Sequence, residues 1–297
     1  MIPADKNAYS RYLPTSRKAM DWKLYVTDCG FTMVASGSPY PPEKHPPEYM
    51  LDPERGRVLN IFEIVYITRG KGTFISDISG THSVTPGTAF LLFPGVRHRY
   101  HPDPKTGWDE FWVGFKGEYA KTLMSPPFFE PEDPVLHIGL YEPLLKLYME
   151  IAELMQTEPF GYRHIIAAKT TEILAHVYAR SHGKTIRSEA NEKLVREACC
   201  HILEYAGKPV DFAALSRRLG ASYSTFRRVF RLHTGLAPNQ YLLQIRIRKA
   251  ESLLSTTVIP VQEIAAKTGF ESNYYFSRMF KAKTGFSPRA YRRQSQP

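Results

Sequence analysis

Between Val58 and Gly117, short apolar runs are cut by turn signals: Ile61 to Thr68, Arg69-Gly70-Lys71-Gly72, Thr73 to Ser76, Ser79-Gly80, Pro86-Gly87, Ala89 to Phe93, then Pro94-Gly95. Punctuation at intervals of about 8–12 residues predicts a small β-sandwich or barrel. Upstream, Pro39, Pro41, Pro42, Pro46 and Pro47 lack the backbone donors of a central strand, so this stretch is expected to wrap one end of the barrel. Near Tyr141 the period changes. Leu144, Leu147, Tyr148, Ile151, Leu154 and Met155 recur at spacings of three and four, which places them on one helical face. After a break at Pro159 and Gly161, Ile165, Ile166, Ala168, Ile173, Leu174 and Val177 supply a second apolar helix. Such a pair either covers the barrel or forms a dimer seam. His182 to Arg187 reads as a linker.

The last hundred residues contain an internal repeat. Phe226, Phe230, Gly235, Pro238 and Tyr241 recur fifty positions later as Phe276, Phe280, Gly285, Pro288 and Tyr291. Upstream of a one-residue slip, Leu215, Ser216 and Gly220 match Ile264, Ala265 and Gly269. Each copy reads as helix, tight turn, helix. Asp211 caps a short helix that Gly220 ends, and Ser222 caps a second helix toward His233. In the second copy a short helix follows Pro260, and Ser272 caps a helix through Lys283. The i,i+4 pairs Phe226/Phe230 and Phe276/Phe280 should bury one face of each second helix. The opposite face then presents Tyr223, Ser224, Arg227, Arg228 and Arg231 in one copy, and Asn273, Tyr274, Ser277, Arg278 and Lys281 in the other.

Charge gives these faces a partner. Residues 1–191 carry 21 Lys and Arg against 22 Asp and Glu, a net of −1, whereas residues 192–297 carry 18 against 7, a net of +11. A strongly basic C-terminal part is what phosphate binding requires. Arg is suited to bidentate contact with guanine edges and Asn to adenine, while Lys and outer Arg suit phosphates. The helix from Asn239 to Leu254 could hold the two copies one DNA turn apart, roughly 34 Å, so that both enter successive major grooves. Double-stranded DNA is therefore the expected partner.

Composition sets the remaining bounds. At 297 residues, with 43% apolar and 23% charged, the chain reads as an ordinary globular protein of about two domains. No apolar run approaches the roughly 20 residues that span a bilayer, so no membrane partner is expected. Met1 to Met20 lacks the apolar core of a secretory signal, which predicts a cytoplasmic protein. Cys29, Cys199 and Cys200 have no CxxC spacing and are expected to be reduced, buried packing residues.

The segment from Val261 to Arg292, VQEIAAKTGFESNYYFSRMFKAKTGFSPRAYR, resembles the signature of AraC/XylS-type transcriptional regulators. The resemblance implies two helix-turn-helix subdomains joined by a linker helix, with base contacts from the second helix of each. Carried over by position, the base-facing residues become Ser224, Arg227 and Arg228, then Asn273, Tyr274, Ser277 and Arg278. Ser224 departs from the pattern, since a larger side chain often stands there.

The segment from Pro86 to Tyr100, PGTAFLLFPGVRHRY, resembles the second motif of cupin barrels as found in sugar-responsive members of that family. An enzymatic cupin needs a His-x-His and Glu set plus a His from this second motif. His98 is present, but the partner strand reads Phe62-Glu63-Ile64-Val65-Tyr66, and the spacing of His82, His101 and Glu110 is not metal-like. The barrel is thus read as a ligand pocket with no metal or cofactor. Trp108, Glu110 and Trp112 alternate on one face of a strand. Aromatic rings beside a carboxylate make a sensible sugar site. Resemblance to arabinose-type sensing domains adds Tyr100 and, through an ungapped alignment, Arg55, while Glu110 stands where those domains have His; His98, from the second cupin motif, completes the ligand-facing set.

The expectation is an α+β protein. Residues 1–140 form an arm and a cupin-like β-barrel, 141–185 a helical pair used for dimerisation, and 186–297 an all-α DNA-binding domain with helix-turn-helix units at about 210–234 and 261–284. By analogy, residues 1–20 are the arm that moves when the effector binds. The function expected is that of a homodimeric, sugar-responsive transcriptional activator, with RNA polymerase a further candidate partner. A ligand-independent DNA-binding regulator and a metal-dependent cupin enzyme fused to a DNA-binding domain are the alternatives.

Overall fold

A computed structural model of the protein describes residues 7–41, 55–182 and 189–295. The chain divides into two compact units, residues 1–183 and 184–297. In the first, β1 (Ala8–Tyr12), α1 (Arg17–Asp21), β2 (Tyr25–Val34), β3 (Arg57–Val58), β4 (Phe62–Gly70), β5 (Gly72–Ser76), β6 (Gly80–Val84), β7 (Thr88–Leu92), β8 (Arg97–Pro102) and β9 (Trp108–Lys116) follow one another. Then come α2 (Glu118–Leu123), β10 (Val135–His137), α3 (Glu142–Thr157) and α4 (Tyr162–His182). The strands form two antiparallel sheets, one ordered β1-β2-β9-β4-β7-β10 and the other β3-β8-β5-β6, a cupin-like barrel.

The central strands β4 and β7 of the six-stranded sheet are buried on both faces, so their apolar residues fall at consecutive positions rather than at every second one. Along β4, Phe62, Ile64 and Tyr66 join a core with Leu144, Ile151, Ile166 and Ile173 of α3 and α4. The intervening Val65 and Ile67 face inward with Phe74, Tyr100, Trp108 and Trp112. The break at Pro159 and Gly161 falls between α3 and α4, whose apolar faces cover the sheet. Tyr148 spans this layer: its hydroxyl donates to the Ile64 carbonyl at 3.3 Å and its ring stacks on Tyr66 at 6.3 Å.

Two parts of the N-terminal region go beyond the sequence reading. β2, ten residues long, pairs with β9 over nearly its whole length, although its sequence carries no simple alternation. β1 pairs with β2 from Ala8↔Thr32 to Tyr12↔Asp28, so the described part of the expected arm, residues 7–20, holds a strand of the barrel and most of α1. It is held further by an ion pair between Arg11 and Glu158 and by Arg163 donating to the Pro14 carbonyl at 2.7 Å. Of the proline-rich segment, Pro42, Pro46 and Pro47 lie outside the described residues, as do linker residues 183–187.

The second unit is all helical: α5 (Glu189–Tyr205), α6 (Phe212–Arg218), α7 (Tyr223–Thr234), α8 (Pro238–Thr256), α9 (Val261–Lys267), α10 (Asn273–Thr284) and α11 (Pro288–Ser295). It holds two cores. Ala198, Ile202, Phe212, Leu215, Phe226, Phe230 and Leu242 form one; Ile247, Ala250, Leu254, Ile264, Phe270, Phe276 and Phe280 form the other. Helix α8 contributes to both. Cys200, expected to pack inside, is exposed, because on α5 it points away from the face that carries Val195, Ala198 and Ile202. Among the described residues, no helix is long and apolar enough to cross a membrane.

Candidate nucleic-acid interface and candidate effector site

Each helix-turn-helix is set by local chemistry. Asp211 accepts from the backbone N–H groups of Ala213 and Ala214 at 2.8 and 3.0 Å, satisfying donors that the first turn of α6 leaves free. Ser222 and Ser272 do the same for Thr225 and Tyr275 at 3.2 and 3.3 Å, fixing where α7 and α10 begin. Both helices end on a left-handed glycine, Gly235 at φ 74° and Gly285 at φ 83°, a conformation that a Cβ disfavours. The duplication extends to side chains. The Thr234 hydroxyl lies 2.8 and 3.0 Å from the Phe230 and Leu236 carbonyl oxygens, either of which can take its single proton, and that of Thr284 lies 2.9 and 3.1 Å from those of Phe280 and Phe286.

With Phe226, Phe230, Phe276 and Phe280 buried, the polar faces of α7 and α10 are turned to solvent. Ser224, Arg227 and Arg228 are exposed, as are Asn273, Tyr274 and Arg278, while Ser277 is half-buried. Tyr274, at 77% exposure, stands out from the start of α10. Two arginines are braced by rings: the Arg227 guanidinium lies 5.8 Å from the Tyr223 ring and that of Arg278 lies 5.5 Å from Tyr275. Ser224, Arg227, Arg228 and Arg231 line one open groove of about 710 Å³. Gln262, Asn273, Ser277 and Arg289 line a second of about 570 Å³. Arg289 and Gln262 were not singled out by sequence, because they lie on the helices flanking α10 rather than on it.

The barrel interior is built in rows across β2, β9 and β4. The register places Asp28 opposite Gly114, Gly30 opposite Trp112 and Thr32 opposite Glu110. On the far side of β9 it places Glu63, Val65 and Ile67 opposite the same three residues. Glycines make room for the larger groups. A Cβ on Gly30 would sit 2.4 Å from the Trp112 ring, and one on Gly114 would sit 2.2 Å from the Asp28 carboxylate.

Of the six residues expected to face the ligand, His98, Tyr100, Trp108, Glu110 and Trp112 are buried inside the barrel. Arg55 is exposed, and its carbonyl accepts from Arg97 at 3.1 Å. The interior arginine is Arg57, two residues on, because β3 pairs Arg57 directly with His98. Arg57 donates to the Tyr100 hydroxyl at 2.9 Å and to His98 Nε2 at 3.4 Å, and lies 3.6 Å from Glu63. His98 Nδ1 lies 3.0 Å from the Val96 carbonyl. Donating there leaves Nε2 as the acceptor that Arg57 needs, which is the neutral imidazole. Burial and the neighbouring guanidinium push the His98 pKa down to about 4, in keeping with that tautomer.

Three carboxyl groups share this space. Asp28, Glu63 and Glu110 are 1%, 2% and 4% exposed, and burial raises the pKa of each. Glu110 rises furthest, to about 8, even though Tyr40 donates to it at 3.1 Å. Asp28 Oδ1 and Trp108 Nε1 are buried without a well-formed hydrogen bond. Asp28, Glu63, Arg57 and Tyr40 escaped the sequence reading. Glu63 had a visible signal, a lone charge inside an apolar strand. His82 and His101 take no part: His82 bonds Ser79 at 3.0 Å and His101 the Pro102 carbonyl at 3.2 Å. Among the described residues, no group of three or more His, Cys, Asp and Glu side chains is placed to hold a metal ion.

Comparison with known proteins agrees with both halves. A profile described as an AraC-like ligand binding domain matches residues 52–168, and one described as a helix-turn-helix domain matches residues 215–294. The arabinose operon regulatory protein of Escherichia coli (strain K12) is 27% identical over 250 residues, covering 80% of this chain and 80% of its own. The raffinose operon transcriptional regulatory protein RafR of Pediococcus pentosaceus is 26% identical over 243 residues, covering 80% of this chain and 86% of its own. Among solved structures, the DNA-binding domain of the global transcriptional factor AdpA, in complex with a target DNA, is 36% identical with a TM-score of 0.33, covering 34% of this chain and 90% of that one. With a ligand-binding profile over the barrel and a helix-turn-helix profile over the repeated helices, the chain belongs to the AraC family of DNA-binding transcriptional regulators.

Proposed function

We propose that this regulator activates a sugar-utilisation operon: a mono- or oligosaccharide binds inside the barrel, and α7 and α10 read double-stranded DNA. The observation that carries the effector reading is the buried interior set. Trp108, Trp112 and Tyr100 offer faces for sugar C–H groups, Asp28, Glu63 and Glu110 accept hydroxyl hydrogens, and Arg57 and Trp108 Nε1 donate. The names of the arabinose and raffinose operon relatives support a sugar over other small molecules. In this reading the effector site comprises His98, Tyr100, Trp108, Glu110 and Trp112 together with Asp28, Glu63 and Arg57, with Arg57 in the role first given to Arg55.

On DNA, Arg227, Arg228 and Arg278 contact guanine edges, Asn273 reads adenine, and Ser224, Tyr274 and Ser277 complete the base-facing surface. The functional divisions are a barrel through residue 140, a helical pair at 141–185 and a DNA-binding domain from 186. The protein acts as a homodimer, with exposed Phe160 and Ile165 on the helical pair as part of the contact, and it recruits RNA polymerase. A sugar can shift the active form only by binding it more tightly than the inactive one.

The test is to select duplexes from a random library with the full-length protein, then titrate the selected duplex and measure thermal stability across a saccharide panel. A sugar that raises the melting temperature and changes DNA affinity supports the reading. Selected DNA bound identically with every saccharide, with no thermal shift, overturns the effector half. The ligand-independent regulator is then the reading that stands.

A further inference from the structure

Helices α7 and α10 read two half-sites only if something fixes the distance between them. Their cores are separate: Leu242 of α8 joins the first, while Ile247, Ala250 and Leu254 join the second. Helix α8 is the element that enters both cores. At its middle, Arg246 donates through Nε to the Ala206 carbonyl at 2.8 Å and through Nη2 to the Lys208 carbonyl at 2.9 Å. Those carbonyls follow the end of α5, where Ala206 packs in the first core. The same guanidinium lies 5.8 Å from the ring of Phe270, which packs in the second core and against Phe276 at 5.1 Å.

The backbones meet at this point too. A Cβ on Gly269, in the turn before α10, would lie 2.7 Å from the Ala206 carbonyl oxygen and 2.9 Å from the Arg246 guanidinium. A Cβ on Gly207 would lie 2.8 Å from the Lys267 carbonyl oxygen. One turn along α8, Lys249 donates to the Leu203 carbonyl at 3.2 Å. A guanidinium that bonds two carbonyls at the end of one unit while lying within cation–π range of an aromatic ring of the other combines both properties particular to arginine.

We propose that Arg246 is a positioning residue that clasps the two helix-turn-helix units and thereby sets the half-site spacing the protein accepts. The proposal rests on α7 and α10 being the reading helices. Each base pair added between half-sites moves them about 3.4 Å apart and rotates one about the DNA axis by roughly 35°. A clasped pair cannot follow that change. An unclasped pair can.

Full-length wild-type, Arg246→Ala and Arg246→Lys proteins are titrated against the duplex selected by the wild type, and against duplexes with one base pair inserted or removed between its half-sites. The wild type should lose about tenfold or more on either altered duplex. Arg246→Ala should bind the original duplex several-fold more weakly, yet distinguish the three duplexes by less than about threefold. Arg246→Lys, which keeps the charge but loses the fork, should fall between them. Helical circular dichroism and melting show whether each variant is folded. If Arg246→Ala does not fold, Lys249→Ala and Arg246→Lys carry the comparison. Folded variants that weaken on all three duplexes equally, with spacing discrimination intact, overturn the proposal. If the wild type selects no duplex with two half-sites, the DNA reading itself fails.

Discussion

A carboxyl group sealed among aromatic rings is easier to keep neutral than charged, and Glu110 shows how far this goes. Its folded pKa of about 8 lies above the ordinary 4.5, so the folded barrel holds a proton that the unfolded chain releases. That contribution to stability is complete below about pH 4.5 and is lost as the pH rises through about 8. His98 acts in the opposite sense: with its folded pKa down to about 4 from 6.5, it costs stability as the pH falls through that range. Of these interior groups, Glu110 and Glu63, the latter raised to about 7, take up protons between about pH 8.5 and 6.5, so the melting temperature should rise on acidification. Glu110→Gln should raise it by about 2–4 °C at about pH 8.5 and flatten the slope; an unchanged calorimetric profile in the variant would remove Glu110 from this role. Legibility at this scale depended on parity. Trp108, Glu110 and Trp112 share a strand face by simple alternation, whereas the choice between Arg55 and Arg57 turns on where a two-residue strand starts, which only its pairing with β8 settles.

At the level of elements, the recognition helices were the most legible part of the chain. Their caps, glycine stops and paired phenylalanines all point to the same structure. Arg278→Ala should relax base preference at one position of the selected site at a cost of about 1–3 kcal/mol, read as a ratio of affinities for matched and substituted duplexes. Retained preference would count against its assigned contact. Phe276→Ala, which empties the centre of the second core, should cost about 3–5 kcal/mol in denaturant unfolding; a loss under about 1 kcal/mol would mean the core refills. Strand β2 was hidden for a physical reason. Its inward positions carry Asp28, Gly30 and Thr32, chosen for the interior site and for the space Trp112 occupies, so the usual contrast between an apolar and a polar face is missing.

For the molecule as a whole, charge is the governing quantity. The net of +11 over residues 192–297 should make DNA affinity fall steeply with salt, by about 0.9 in log K per decade of salt for each phosphate engaged. Arg231→Ala and Lys281→Ala, which remove outer cations of α7 and α10, should each reduce that slope by about 1 without altering sequence preference. A changed preference with an unchanged slope would place them on bases instead. The two units were legible from the asymmetry of charge, whereas the change of period near Tyr141 marks the helical pair that packs on the sheet inside the first unit. Beyond reach was the joint within the DNA-binding unit, since Arg246 meets Ala206 and Phe270 only after the helices have packed.

The identical side-chain bonds of Thr234 and Thr284, and the matching T-shaped contacts of Phe230 with Tyr241 and Phe280 with Tyr291, both at 5.4 Å, make the two reading units one scaffold used twice. Whatever sits on the solvent face of one should therefore be tenable on the other. On the proposed reading, exchanging the exposed residues of α7 and α10 would leave both cores untouched and yield a protein that prefers its two half-sites in the opposite order. In the proposed DNA reading, the order of the two words in the operator is then written in surface residues, while the grammar of the fold beneath them stays fixed.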